Sequence, residues 1–187
     1  MVDSHGPILI GGTDALDIDY TTKFEEFYPE AAEEIDTRLP KPLIDELVIT
    51  AFIDSDHAHD QITRQYIAGL LILVGRTPVY FMSKRQGAIK TSTYGAEFCA
   101  MRTAVEEVQS VRYMLRCLGV RVDSASLTCG DNKGVVQNCS ISDSLLKKKH
   151  VAIAYHKTRE SAAAGIVHPI KIAGTNNFAD LLTKALT

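Results

Sequence analysis

Four acidic residues stand where a new structural element begins or ends, and they are the residues of this chain best suited to do chemistry. Asp54 and Asp131 each close an apolar, strand-like run, whereas Glu97 and Asp180 lie near the starts of amphipathic, helix-like runs. Carboxylate oxygens are the ligands that hard divalent cations such as Mg²⁺ prefer. If the fold brings these element ends together, the sequence predicts an acidic metal site. Two ions in such a site are a standard device for phosphodiester cleavage.

Each carboxylate taken alone has an ordinary structural explanation, such as a helix cap or an interaction with a helix dipole. Asp54 is the hardest to explain in this way, because a charged residue that closes a run as apolar as residues 47–53 usually needs a partner. Asp56 and Asp60 are alternative candidates in the segment that follows. The order of the four carboxylates along the chain therefore supports the site more than any single one does.

Hydrophobic periodicity predicts the elements that must position these residues. Runs rich in β-branched and apolar residues predict five strands, at residues 47–53, 66–74, 79–83, 125–130 and 166–173. Helical spacing predicts a long helix from about residue 98 to Gly119, and shorter helices at residues 132–139, at residues 148–164 and around Asp180. Short connections between the first three strands favour an antiparallel meander. The order indicates an α/β fold with a mixed five-stranded sheet flanked by helices.

Charge divides the chain into two parts. Residues 1–46 hold 12 Asp and Glu against 3 Lys and Arg, whereas residues 47–187 hold 11 against 17. We therefore predict an acidic lead-in over residues 1–46 and a domain over residues 47–187. A basic surface around an acidic metal site suits phosphate binding. A solvated surface without a partner explains the same charge equally well.

The longest apolar stretch, residues 67–74, is too short to span a bilayer, so no membrane partner is expected. No basic and apolar leader opens the chain. The sequence therefore predicts an intracellular protein, in a cytoplasmic particle or the nucleus, and not a secreted one.

The order of these motifs resembles that of the ribonuclease H domain of copia-type LTR retrotransposon polyproteins, over roughly residues 47–187. The matching blocks are Phe52-Ile53-Asp54-Ser55-Asp56, Ser83-Lys84-Arg85-Gln86, Ala96-Glu97-Phe98, Asp131-Asn132, Tyr155-His156 and Asn177-Phe178-Ala179-Asp180-Leu181-Leu182-Thr183-Lys184. The resemblance implies a ribonuclease H-like fold, in which three antiparallel strands are followed by parallel additions.

The activity that the resemblance implies is hydrolysis of the RNA strand of an RNA–DNA hybrid. Two Mg²⁺ ions, with Mn²⁺ as the alternative, would be held by the four carboxylates. Asp54, Glu97, Asp131 and Asp180 are then the catalytic and metal-binding set. A polymerase domain is a further candidate partner, because residues 1–46 would be the end of the segment that connects polymerase to ribonuclease.

Six residues are expected to contact the nucleic acid: Lys84, Arg85, Asn132, Lys147, Lys148 and Lys149. The basic side chains would bind phosphates, which position a duplex without reading its sequence. Asn132, together with Glu97, would contact 2′-hydroxyl groups in the wide minor groove of an A-like hybrid. For Lys147–Lys149, an ordinary solvated run is an equally good interpretation.

The sequence departs from the family pattern, and two other functions compete with the first. Many ribonucleases H carry a histidine in the loop before the last aspartate, but residues 173–177 contain none. Integrase-like and transposase-like enzymes share the fold class and the two-metal chemistry. They usually place their glutamate last, whereas here an aspartate, Asp180, is last. The non-enzymatic alternative is a catalytically weak or inactive remnant that only binds nucleic acid.

Overall fold

The structure is a computed structural model, and it describes residues 24–56, 66–85, 93–141 and 152–184. Five strands form its sheet: β1 (Ile49–Asp56), β2 (Ile67–Val74), β3 (Thr77–Arg85), β4 (Ser126–Gly130) and β5 (Val167–Lys171). Four helices accompany them: α1 (Phe24–Phe27), α2 (Thr93–Cys117), α3 (Lys133–Ser140) and α4 (Ala152–Ala163). Two 3₁₀ segments follow, Gly174–Asn176 and Phe178–Leu182, and we call the second the C-terminal 3₁₀ helix. Within these ranges, no helix combines the length and the apolar character that crossing a membrane requires.

The sheet has the order β3-β2-β1-β4-β5, so that β1 lies at its centre. β1 pairs with β2, and β2 with β3, in antiparallel orientation. β4 pairs with β1, and β5 with β4, in parallel orientation. Antiparallel neighbours need only a tight turn, such as the one at Gly75, whereas a parallel neighbour needs a crossover that α2 supplies. The predicted mixed sheet, with three antiparallel strands followed by parallel additions, is confirmed.

The two faces of the sheet carry different packing. Ile49, Ala51 and Ile53 alternate along β1 toward the main core, where the buried side of α2 packs against them. Phe52 points to the opposite face and joins a smaller cluster that includes Ala179 of the C-terminal 3₁₀ helix. The sheet therefore lies between a helical layer and a short C-terminal segment.

Strand β1 extends beyond its predicted end. The sequence predicted a loop from Asp54 onward, but β1 continues through Asp56, because β2 pairs with it as far as the contact of Asp56 with Ile67. Asp54 and Asp56 consequently share one face of the sheet. The last predicted helix, around Asp180, is a 3₁₀ helix. Helix α2 ends where predicted, before Gly119, whose φ of 77° suits a residue without a side chain.

Part of the acidic lead-in contacts the rest of the described chain, and we call residues 24–46 the N-terminal strap. The ring of Phe24, which is buried, lies 5.4 Å from the guanidinium carbon of Arg159 on α4. The backbone N–H of Ile44 donates to the carbonyl oxygen of Gly119 at 3.1 Å. Glu46 accepts a hydrogen bond from the backbone N–H of Ser124. The strap therefore crosses α2 and α4 on the side of the sheet that they cover.

Candidate metal and nucleic-acid site

The parallel pairing of β1 with β4 brings Asp54 and Asp131 to the same edge of the sheet. Phe52 is paired with Cys129, so continuing the same register by two residues places Asp54 beside Asp131. Both side chains are half-buried. Burial raises the pKa of Asp54 above its usual value, a hydrogen bond from Thr183 opposes this, and the charges of Asp131 and Asp180 raise it further.

Glu97 reaches this edge from the second turn of α2. Asn132 Nδ2 donates to Glu97 Oε1 at 3.0 Å, while Asn132 Oδ1 accepts from the backbone N–H of Val135 at 3.2 Å and caps α3. Burial raises the pKa of Glu97 to about 7; Asn132 opposes this, and the charges of Asp131 and Asp54 add to it. The amide of Asn132, predicted to contact nucleic acid, thus orients Glu97 in this structure, and its contact with nucleic acid stays a prediction.

Asp180 is placed by the C-terminal 3₁₀ helix, which is tied to the end of β1. The side chain of Asn177 begins this helix by accepting from the backbone N–H of Ala179 at 3.2 Å. Its Nδ2 donates to the carbonyl oxygen of Ile53 at 2.9 Å. Lys184 Nζ, one turn further on, lies 2.6 Å from Asp180 Oδ2.

Asp54, Glu97, Asp131 and Asp180, which we call the acidic cluster, therefore converge on one edge of the sheet. Asp54 interacts electrostatically with the other two aspartates, and Glu97 interacts with Asp131 and Asp54. In the part of the chain that the structure describes, no three His, Cys, Asp or Glu side chains are arranged to hold a metal ion as they stand. The four carboxylates thus lie at one edge of the sheet, but among the described residues they do not form a metal-binding arrangement.

The two predicted basic residues that the structure describes lie at the same edge. Across the antiparallel strands, Asp54 pairs with Gly69, which pairs with Ser83. Lys84 and Arg85, which follow Ser83 at the end of β3, are exposed. Since neighbouring strands are about 4.8 Å apart, they lie roughly 10 Å from the Asp54 backbone across the sheet. Lys147, Lys148 and Lys149 lie outside the described residues.

No family model matches the chain. It is similar to retrovirus-related Pol polyproteins of plant transposons. The polyprotein of transposon RE1 of Arabidopsis thaliana is 28% identical over 141 residues, which cover 75% of this chain and 10% of that protein. The polyprotein of TNT 1-94 of Nicotiana tabacum is 26% identical over 139 residues, which cover 74% of this chain and 10% of that protein. The chain thus spans about a tenth of the length of these curated relatives.

Solved ribonucleases H have the same architecture. The crystal structure of LC11-RNase H1 in complex with RNA/DNA hybrid matches with a TM-score of 0.57 at 17% identity, covering 72% of this chain and 92% of that one. RNase H1 of Halobacterium salinarum matches with a TM-score of 0.52 at 16% identity, covering 72% of this chain and 92% of that one. This chain has a ribonuclease H-like fold. The predicted resemblance to the ribonuclease H domain of a copia-type polyprotein is thereby confirmed.

The donor atoms at the edge of this ribonuclease H-like sheet suit a hard divalent cation. The acidic cluster offers only carboxylate oxygens, which match the preferences of Mg²⁺ and Mn²⁺. Burial is the main cause of the raised pKa values of Asp54 and Glu97, and the charges of the neighbouring carboxylates add to it.

Sequence reasoning missed several residues at this end of the sheet. Lys171 ends β5 beside Gly130, the residue before Asp131, and so is a further cation at the same edge. Its position at the end of the last parallel strand was the signal that could have identified it. The contact of Thr183 with Asp54 had no comparable signal, because it depends on how the C-terminal 3₁₀ helix lies on the sheet. The contact of Lys184 with Asp180 did have one, because the two residues are four apart in the sequence.

We predict that Glu97→Gln stabilises the metal-free protein at pH 8. The folded pKa of about 7 lies above the ordinary value of 4.5, so the wild type loses stability as the pH rises from about 4.5 to about 7. Glutamine removes this loss and keeps the oxygen that accepts from Asn132. After allowance for solvent screening, the expected gain at pH 8 is about 1–2 kcal/mol.

Urea denaturation in EDTA at pH 8 and pH 4.5 would measure this gain. Glu160→Gln, at an exposed position on α4, is the matched control and should change stability little at either pH. A gain in stability of equal size at both pH values would show that the ionised carboxylate of Glu97 does not destabilise the fold.

Proposed function

We propose that this chain is a divalent-metal-dependent endoribonuclease that hydrolyses the RNA strand of RNA–DNA hybrids. The observation that carries the proposal is the convergence of the acidic cluster, from β1, α2, the end of β4 and the C-terminal 3₁₀ helix, on one edge of a ribonuclease H-like sheet. The similarity to a segment of transposon Pol polyproteins supports the same assignment. That LC11-RNase H1 was solved with an RNA/DNA hybrid supports the substrate class.

The acidic cluster would hold two Mg²⁺ ions. When bound, such ions supply Lewis-acid chemistry, which activates a water and stabilises charge on the leaving oxygen. Asp54 is the best placed to serve both ions, because it is central in the sheet and interacts with both Asp131 and Asp180. Glu97, with a pKa of about 7, would lose its proton on binding a cation. Metal binding should therefore weaken as the pH falls below neutrality.

The hybrid would be held by the basic residues around this edge. Exposed Lys84 and Arg85 would contact phosphates, and so would Lys147–Lys149. Asn132 and Glu97 would contact 2′-hydroxyl groups. Because phosphate contacts release counterions, binding is expected to weaken steeply with salt. A polymerase domain is the proposed physiological partner, in an intracellular particle or the nucleus.

Cleavage of an end-labelled RNA–DNA hybrid tests the proposal. The chain is incubated with hybrid, single-stranded RNA or duplex DNA, in Mg²⁺, Mn²⁺ or EDTA. We expect cleavage of the RNA strand of the hybrid alone, in either metal and not in EDTA. Equal cleavage of single-stranded RNA would indicate a different nuclease, or a contaminating one.

A nucleic-acid-binding remnant without useful activity is the second candidate. It is favoured by the ion pair of Lys184 Nζ with Asp180 Oδ2 at 2.6 Å, in which a cation of the chain itself contacts a carboxylate of the acidic cluster. Folded protein that binds the hybrid but does not cleave it in Mg²⁺ or Mn²⁺ would support this candidate.

A further inference from the structure

Thr183, directly after the C-terminal 3₁₀ helix, joins two members of the acidic cluster. Its side chain is buried, with 4% exposed. Thr183 Oγ1 donates to Asp54 Oδ2 and also lies 3.1 Å from the carbonyl oxygen of Asp180. The hydroxyl has one proton, and a carboxylate is the stronger acceptor. The contact with the Asp180 carbonyl is common at helix ends, but the contact with Asp54 bridges 129 residues of sequence.

The close approach of this segment to the sheet depends on Gly69. Gly69 is the β2 partner of Asp54. A Cβ atom at Gly69 would lie 2.7 Å from the carbonyl oxygen of Ala179 and 2.8 Å from Thr183 Cγ2. Ser83, the next partner across the sheet, donates to the carbonyl oxygen of Leu182 at 2.6 Å. The segment that carries Asp180 thus contacts three adjacent strands beside Asp54.

We propose that Thr183 is a positioning residue for the metal site. Its hydroxyl orients the Asp54 carboxylate, and its backbone belongs to the segment that carries Asp180. Thr183 therefore fixes the position of these two carboxylates relative to each other. The proposal rests on the proposed function for its catalytic consequence. The hydrogen bond itself can be tested without activity.

Two substitutions separate the hydroxyl from the packing. Thr183→Val keeps the branched shape and the methyl contact with Gly69 but removes the donor. Thr183→Ser keeps the donor and removes the methyl group. If Thr183 acts only through packing of its methyl group, Thr183→Ser should be the more disruptive change. If it acts through its hydroxyl, as the positioning role requires, Thr183→Val should be the more disruptive one.

A double-mutant cycle measured by thermal unfolding in EDTA tests the coupling. The four proteins are the wild type, Thr183→Val, Asp54→Ala and the double variant. We expect Thr183→Val to lower the melting temperature by about 3–10 °C in the wild type, because it leaves a half-buried carboxylate without its donor. In the Asp54→Ala background the shift should largely disappear. Equal shifts in both backgrounds would overturn the proposal.

Hydrolysis of the hybrid tests the consequence for the site. Residues that orient metal ligands typically change metal affinity or activity by about 10–100-fold when replaced. We expect Thr183→Val to raise the half-saturating Mg²⁺ concentration and lower kcat within that range, with KM for the hybrid unchanged. Thr183→Ser should restore most of both. A raised KM with unchanged Mg²⁺ dependence would overturn the positioning role. Inactive wild-type protein would contradict the proposed function, while the thermal cycle would still decide the role of Thr183.

Discussion

Asp54→Asn is expected to abolish metal-dependent cleavage of the hybrid while leaving the protein folded. Asp54 lies on the central strand and interacts electrostatically with Glu97, Asp131 and Asp180. An amide keeps the shape of the side chain but removes a negative charge and one ligand oxygen. Losing one preorganised electrostatic group at a reacting centre costs about 100–1000-fold in rate, so we expect at least that loss under single-turnover conditions.

The same substitution should raise the melting temperature of the metal-free protein. Burial and the neighbouring aspartates raise the pKa of Asp54, so the ionised carboxylate destabilises the fold in the absence of a cation. An inactive variant that melts higher than the wild type, or at the same temperature, would therefore place the defect in chemistry and not in folding.

Asp56→Asn is the sharpest control for Asp54→Asn. Asp56 lies two residues further along β1 on the same face of the sheet, so Asp56→Asn makes the same chemical change close to Asp54. The sequence alone left Asp56 as an alternative candidate for the metal site. We expect it to keep most of the activity. Asp123→Asn, at a side chain that is 75% exposed beside Arg121, controls for loss of charge. Full activity of Asp54→Asn, or loss of activity in Asp56→Asn alone, would contradict the assignment of Asp54.

The convergence of Asp54 with Asp131 was predictable because it depends on backbone rules. The apolar runs before Asp54 and Asp131 predicted two buried strands, and the same ends of parallel strands meet at one edge of a sheet. This prediction did not depend on where β1 ends, which is at Asp56 and not at Asp54. The contacts that orient those carboxylates were not predictable. Thr183 reaches Asp54 only because Gly69 allows a 3₁₀ helix to approach β2, and neither periodicity nor composition encodes such a distance.

The contacts of the N-terminal strap could not be predicted from the sequence either. Residues 24–46 have little hydrophobic patterning, and the sequence indicated only an acidic lead-in. The structure gives a four-residue helix, Phe24–Phe27, and beyond it contacts made by isolated residues. Glu33 pairs with Arg112 and Arg116, which are 79 and 83 residues away. Charge patterning along a chain does not identify partners at such separations.

Glu33→Gln is expected to cause the largest loss of stability among the variants that we predict. The Glu33 carboxylate lies 2.7 Å from Arg112 Nη2 and 2.7 Å from Arg116 Nη1, and the side chain of Arg112 is only 1% exposed. Removing one partner of a buried pair leaves an uncompensated charge, which typically costs 3–5 kcal/mol. Because Glu33 itself is 18% exposed, we expect a loss of about 2–4 kcal/mol in the free energy of unfolding.

Urea denaturation at pH 7 measures this loss, and Glu34→Gln is its matched control. Glu34 is the next residue and is exposed, so the same change of charge and shape there should cost little. Equal effects of the two substitutions would show that the strap is held by overall charge and not by the contacts of Glu33. A large effect of Glu33→Gln alone would make residues 24–46 part of the folding unit.

The pH dependence of the same pair gives an independent check. Although burial opposes it, hydrogen bonds from Arg112 and Arg116 hold the pKa of Glu33 at about 2, below the ordinary 4.5. The stabilisation is therefore complete above about pH 4.5 and is lost as the pH falls toward 2, because the unfolded chain takes up the proton first. The difference in stability between the wild type and Glu33→Gln should narrow over that interval. The contribution of an ion pair depends on whether Glu33 is ionised and must therefore change over this pH range. A difference in stability that stays constant from pH 7 to pH 3 would mean that the effect of Glu33→Gln arises from packing of the side chain.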